Sequence, residues 1–231
     1  MQPEQFLHAM SNSLPSRRKV YFVCKRAMDI VLASVLLIIC APLMLVIAVL
    51  VKLDSSGPIL FRQIRVGRDG KPFTFYKFRS MYYNSDPEVH RRYVQAFIRN
   101  QTAEAKPADG SAPGIFKMTR DPRITRTGRF LRRTSLDELP QIFNVLKGDM
   151  SLVGPRPPLP YEVQEYQEWH RGRLSVIPGI TGSWQVQGRS LVPFDDMVRM
   201  DLEYIAQQSL WLDIKILALT IPAVIFAKGA K

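Results

Sequence analysis

The strongest pattern along the chain is one unbroken apolar run. From Ile30 to Val51 it reads IVLASVLLIICAPLMLVIAVLV, without a charge, between Asp29 and Lys52. About 20 such residues suffice to cross the hydrocarbon core of a bilayer, so the pattern predicts a membrane helix. Pro42 stands near the middle of the run. A proline there removes a backbone N–H and crowds the carbonyl of Ile38, which predicts a helix–break–helix kinked at Pro42. Both flanks are basic: Arg17, Arg18, Lys19, Lys25 and Arg26 precede the run, and Lys52, Arg62, Arg65, Arg68, Lys71, Lys77 and Arg79 follow it. Positive flanks stay on the cytoplasmic side. A re-entrant element that returns to its own side satisfies both flanks, and a straight span satisfies one. The late start of the run, and the lack of a small-residue cleavage site before Lys52, speak against a cleaved signal peptide.

The pattern after Val51 is different. Turn chemistry in DSSGP, Asp54 to Pro58, ends the membrane element. ILFRQIRVG and PFTFYKFRSM then alternate with β-branched and aromatic residues around GRDGKP, which predicts a β-hairpin. Residues 84–99 and 196–212 are expected to be helical. Residues 100–115, rich in Ala, Pro and Gly, are expected to form an exposed loop. RITRTGRFLRR is a basic segment compatible with a helix. Residues 160–175 are amphipathic, and IPGITGSWQVQGRS is expected to be an irregular binding loop. The apolar tail, with Trp211 and Lys215, is expected to lie at a membrane interface. The fold class that results is α+β, mainly helical, with a re-entrant membrane helix, a small β-hairpin and interfacial amphipathic helices. Its expected division is a polar and basic tail over 1–22, the membrane helix over 23–56, and a membrane-associated catalytic domain over 57–231.

Composition narrows the partners. The chain of 231 residues is 46% hydrophobic, which supports a core, and carries a net charge of +12. Such a balance favours anionic partners: nucleic acid, an acidic membrane surface or phosphorylated substrates. Two cysteines, Cys24 and Cys40, make no disulfide framework, and His8, His90 and His170 show no metal-ligand spacing.

The richest chemistry lies in RRTSLDELPQIFNVLKGDMSLVGPRP, Arg132 to Pro157. Two readings of Asp137 and Glu138 stand side by side. SLDE fits a capping box, with Ser135 as N-cap and Glu138 reaching back. The same pair also fits a reaction centre. A helix start and the surrounding Arg126, Arg129, Arg132 and Arg133 would keep a carboxylate ionised, which suits a nucleophile or a metal ligand better than a general acid. Prolines 155, 157 and 158 restrict the backbone around Arg156. A guanidinium so held binds phosphate with little ordering cost, although an ordinary proline-rich loop would read the same.

Three motifs follow the apolar run in order: KFRSM (Lys77 to Met81), LRRTSLDELPQIFNVLKGDMSLVGPRP, and PGITGSWQVQGR. Together they resemble the bacterial sugar transferase family, the monotopic polyprenyl-phosphate phosphoglycosyl transferases, and within it the short exopolysaccharide-initiating members. The likeness runs from about Lys25 to the C-terminus. It implies transfer of a hexose-1-phosphate from a UDP-sugar to undecaprenyl phosphate with release of UMP, at the cytoplasmic face of the bacterial inner membrane. Galactose or glucose is the expected hexose. It further implies that Asp137 is a covalent nucleophile and that Glu138 serves Mg²⁺. Lys77, Arg79, Arg132 and Arg156 would bind phosphate, and Gln185, Arg189 and Asp201 substrate. The family breaks its membrane helix at Ser-Pro, where this chain has Ala41-Pro42. A homodimer is a plausible assembly. Two rivals remain: direct in-line transfer with both carboxylates on the metal, and a basic membrane-tethered nucleic-acid binder. The second has little support, because the basic residues are scattered among apolar and Gly/Pro motifs and no nucleic-acid module is recognisable.

Overall fold

A computed structural model describes residues 15–83, 88–98, 121–187 and 192–225. The expected loop over 100–115 and Arg189 lie outside the described residues. Most described residues are helical, with two small two-stranded sheets and one long apolar helix near the N-terminus.

That helix, α1, runs from Pro15 to Asp54 as one element with Pro42 inside it. The expected division into two helices is not what the backbone does. The reason is tertiary packing on both sides of the proline. Ala33, Leu37, Cys40, Met44, Ile47 and Val51 form a stripe at spacings of four and three, the period of one helix face, and all pack on the remainder of the chain. The opposite face is bare: Val31, Val35, Ile38, Ile39, Leu45, Val46, Val49 and Leu53 are all exposed.

Both halves of α1 are fastened to the same body. On the N-terminal half, Lys25 and Tyr21 each reach Asp213 Oδ2 at 3.0 Å, and Tyr204 donates to Asp213 Oδ1 at 2.7 Å. Asp29 accepts from the Leu152 amide at 3.0 Å. On the C-terminal half, Met44, Ile47 and Val51 pack with Phe78 and Leu131. The Arg79 guanidinium donates to the carbonyls of Val51, Ser55 and Pro58. Those carbonyls end the helix and begin the turn after it, and a buried cation satisfies them.

The expected hairpin is present as β1 (Leu60–Val66) and β2 (Pro72–Phe78), antiparallel, with Ile64 opposite Thr74. Asp69 takes a left-handed conformation in its turn. Helix α2 (Glu88–Ile98) falls where a helix was expected. The basic segment forms α3 (Arg126–Thr134), capped by Thr125 through the Gly128 amide. Gly128 is required: a Cβ there would lie 2.0 Å from the Ser80 carbonyl oxygen. This close approach seats α3 beside the end of β2. A short 3-10 turn (Leu136–Glu138) and α4 (Gln141–Lys147) follow, then β3 (Ser151–Val153).

After α5 (Pro160–Gln164) and a 3-10 segment (Glu168–Ser175), the stretch expected to be irregular contains β4 (Gly179–Thr181) and α6 (Ser183–Gln187). β4 pairs in parallel with β3. Its three residues cannot display an alternation, and burial between elements leaves none to read. The single helix expected over 196–212 is two: α7 (Phe194–Ala206) and α8 (Leu210–Ile225). Gln207 closes the first, and Ser209 starts the second by accepting from the Leu212 and Asp213 amides. The main core gathers Phe75, Ile142, Val145, Val153, Val198 and Ile205 between β2, α4, β3 and α7.

Candidate active site

The site forms where β2, the 3-10 turn and the loop after β3 converge. β2 brings Lys77. Its Nζ lies 2.6 Å from Glu138 Oε1 and 3.7 Å from Asp137 Oδ2, so one lysine bridges the two carboxylates. Register is held by Asn144 of α4, wholly buried. Its Oδ1 accepts from the Tyr76 amide at 3.1 Å and its Nδ2 donates to the Thr74 carbonyl at 2.6 Å. Those bonds flank Phe75, just ahead of Lys77, and fix β2 against α4. Phe75 packs beneath, with Lys77 Nζ 5.6 Å from its ring centre.

Arg156 comes from the loop after β3 and reaches Glu138 Oε1 at 3.4 Å. Proline rigidity is only part of what holds it. The carbonyl of Pro155 accepts from the Gly179 amide at 2.9 Å, that of Pro157 from Arg65 at 3.0 Å, and that of Pro158 from the Val66 amide at 2.9 Å. The backbone is thus pinned on both sides of Arg156. Arg65 was not singled out from the sequence as a site residue. It is buried, and burial pulls its pKa down to about 10, offset in part by Glu162. Its signal was the alternation of β1, which made it a strand residue and nothing more.

The capping box does not form. Ser135 is left-handed, with φ 58°, and closes α3 through its N–H to Leu131; its side chain makes no cap bond to the turn that follows. Glu138 turns instead to Lys77 and Arg156. Two cations outweigh one backbone amide, since charge-assisted bonds are about twice as strong as neutral ones.

The two carboxylates differ. Burial pushes the Asp137 pKa up; Lys77 pulls it down, Glu138 adds to the rise, and Arg132 and Arg156 oppose it, leaving a net rise. Burial opposes the Glu138 charge as well, but Lys77 and Arg156 outweigh it and hold that carboxyl well below its usual range. The pair therefore carries one firmly charged member and one poised member, the opposite order of emphasis from the helix-cap argument.

The remaining expected site residues lie elsewhere. Arg132, in the last turn of α3, is near enough to Asp137 to favour its charge. Arg79 is buried against the end of α1 and belongs to that junction. Asp201 of α7 is sealed, with Arg173 as its ion-pair partner, and Arg173 also donates to Tyr166. Burial lifts the Asp201 pKa to about 6 in spite of Arg173. Gln185 of α6 donates to the Ile180 carbonyl at 3.1 Å.

Among the described residues no group of three or more His, Cys, Asp and Glu could form a metal cage. The donor set still fits Mg²⁺, which binds through one or two carboxylates and completes its shell with water and substrate phosphate. That one lysine already bridges both carboxylates shows that the pair presents a common face to a cation.

The sequence model of the family described as "Bacterial sugar transferase" matches residues 20–227. The chain belongs to that family. It is 44% identical, over 227 residues, to the "Undecaprenyl-phosphate galactose phosphotransferase" of Salmonella typhimurium strain LT2; the match covers 98% of this chain and 45% of that protein. It is 42% identical, over 205 residues, to the "UDP-glucose:undecaprenyl-phosphate glucose-1-phosphate transferase" of Escherichia coli K12, covering 85% of this chain and 39% of that one. "Exopolysaccharide production protein ExoY" of Sinorhizobium fredii strain NGR234 is 37% identical over 213 residues, covering 92% of this chain and 90% of that protein. The chain thus spans less than half the length of the first two and nine-tenths of the third.

Proposed function

We propose that the protein transfers a hexose-1-phosphate from a UDP-sugar to undecaprenyl phosphate, releasing UMP, through a covalent intermediate on Asp137. The observation that carries this reading is the Lys77-bridged pair of Asp137 and Glu138 beside a backbone-pinned Arg156. A diphosphate is repelled by an exposed carboxylate. Here cations from three separate elements surround the pair, so a phosphoryl group meets positive charge before it meets the nucleophile.

Asp137 attacks the phosphorus that carries the sugar. A bond forms from its carboxylate oxygen to that phosphorus, and the bond to the bridging oxygen breaks, so that oxygen leaves with UMP. A phosphate oxygen of the polyprenyl acceptor then attacks the same phosphorus. Asp137 is released as a carboxylate and the lipid gains a diphosphate-linked sugar. Lys77, Arg132 and Arg156 neutralise the phosphoryl oxygens, and their approach also favours the ionised form of Asp137. Glu138 would hold Mg²⁺, which when bound supplies further charge neutralisation on the diphosphate. Arg79 and Asp201 act on the fold in this account, and Gln185 and Arg189 stay with the sugar side.

The relatives named for galactose and glucose support either of those hexoses, and the likeness to ExoY supports a place in exopolysaccharide assembly. The membrane reading rests on α1. Both ends of its apolar run are tied to one polar body, by Lys25 and Asp29 at one end and by Arg79 at the other. A straight span would carry one of those ends to the far side of the hydrocarbon, away from the body that holds it. The supported arrangement is that α1 meets the cytoplasmic leaflet with its bare face toward lipid while its packed face and both ends stay on the polar body, and that α8 lies at the interface.

Steady-state kinetics tests the two-step scheme. Varying UDP-sugar at several acceptor concentrations should give parallel double-reciprocal lines, the ping-pong pattern. Converging lines would support direct transfer in a ternary complex.

A further inference from the structure

Two carboxamide side chains of α4 are buried, and they behave differently. Asn144 is 0% exposed and has both ends of its amide bonded to β2. Gln141 is 1% exposed, and its Nε2 has no hydrogen-bond partner among the described residues. Leaving a buried donor unmet is costly, and a native protein that keeps one usually has a use for it.

Gln141 opens α4 one turn after Glu138. Its amide is near enough to favour the Glu138 charge, without the geometry of a formed hydrogen bond. The stronger supports of that charge are Lys77 and Arg156, and both bond the same oxygen, Oε1. These two are also the cations that a diphosphate would draw toward itself. Glu138 must then lose partners at the moment its orientation matters.

We propose that Gln141 is a positioning residue for Glu138: its Nε2 donates to the Glu138 carboxylate as Lys77 and Arg156 turn to the phosphoryl oxygens of the donor. The inference rests on the reading of Lys77 and Arg156 as diphosphate-binding residues. Its burial suits the task. An amide closed off from solvent cannot be claimed by water, and it carries no charge that would compete for the diphosphate. A one-turn spacing on a rigid element sets the distance without involving a mobile loop.

Gln141→Met tests it, since methionine has similar length and no donor. UMP release from UDP-sugar without acceptor should slow about 10- to 100-fold, the usual effect of losing a partner that orients a ligand residue. The KM for UDP-sugar should stay within about threefold and the thermal midpoint should hold or rise, because the change removes an unmet buried donor. Gln141→Glu, which sets a second carboxylate against Glu138, should be slower still at unchanged KM. Wild-type rates in Gln141→Met would overturn the proposal. So would a fall in rate matched by a fall in thermal midpoint and a rise in KM, the signature of a purely structural residue. A wild-type protein that releases no UMP would instead defeat the underlying functional reading, and the proposal with it.

Discussion

Among the described residues two buried aspartates, Asp137 and Asp201, have a pKa raised overall by burial, and their surroundings differ. Asp201 is closed in with one cation, Arg173, which is itself buried and shared with Tyr166. Asp137 shares Lys77 with Glu138 and stands near Arg132 and Arg156, and the side chains of Lys77 and Arg156 are partly open to solvent. A perturbed carboxylate is therefore not by itself the mark of a site. What separates the two is whether the compensating cations can be handed to a ligand. Around Asp137 they are partly open to solvent; around Asp201 the ion pair is part of the interior.

The comparison can be broken most easily at Lys77. Lys77→Met removes the cation that touches both carboxylates. UMP release should fall by about a thousandfold, the scale of removing a preorganised charge contact at a phosphoryl centre, while folding survives. Arg156→Lys keeps the charge and loses the planar fork; a drop of about 10- to 100-fold is expected from the lost bidentate geometry. The sealed pair should answer in the other currency. Arg173→Met leaves Asp201 buried without its cation, and a loss of about 3–5 kcal/mol in unfolding free energy is expected. Activity per folded molecule, measured well below the new midpoint, should stay within a few-fold. If Arg173→Met were as stable as wild type but inactive, the division between the two clusters would be wrong.

The smallest effect concerns pH. Asp137 must be ionised to attack, and its folded pKa lies above the usual value, so the acid limb of UMP release should fall above about pH 3.9. Lys77 lowers that pKa, so in the residual activity of Lys77→Met the limb should move to higher pH. A limb that moves down, or one at the ordinary aspartate value in wild type, would remove Asp137 from the role.

Much of this geometry was readable in the chain, for identifiable reasons. Alternation marked the hairpin and so placed Lys77 on a strand. Prolines marked the loop of Arg156, and adjacent acids among arginines marked Asp137 and Glu138. Contacts between distant segments were not readable. Ser135 looked like a helix start because a capping box is a local pattern, yet Lys77 lies far back in the chain and takes Glu138 away from it. Pro42 looked like a break because proline disrupts a helix locally, yet one stripe from Ala33 to Val51 is packed on both sides of it. Arg79 shared a motif with Lys77 but, two positions further along the strand end, it meets the helix terminus instead. Gln141 carries no sequence signal at all, since an unmet donor exists only relative to its surroundings.

The central claim is the covalent step on Asp137, and one measurement addresses it directly. Purified protein is mixed with UDP-sugar in the absence of polyprenyl phosphate, quenched, digested and analysed by mass. The account predicts a UMP burst equal to the enzyme present, a sugar-phosphate mass on the peptide that contains Asp137, and neither in Asp137→Asn. Sustained transfer to added acceptor by a protein that shows no adduct, or by Asp137→Asn itself, would contradict it.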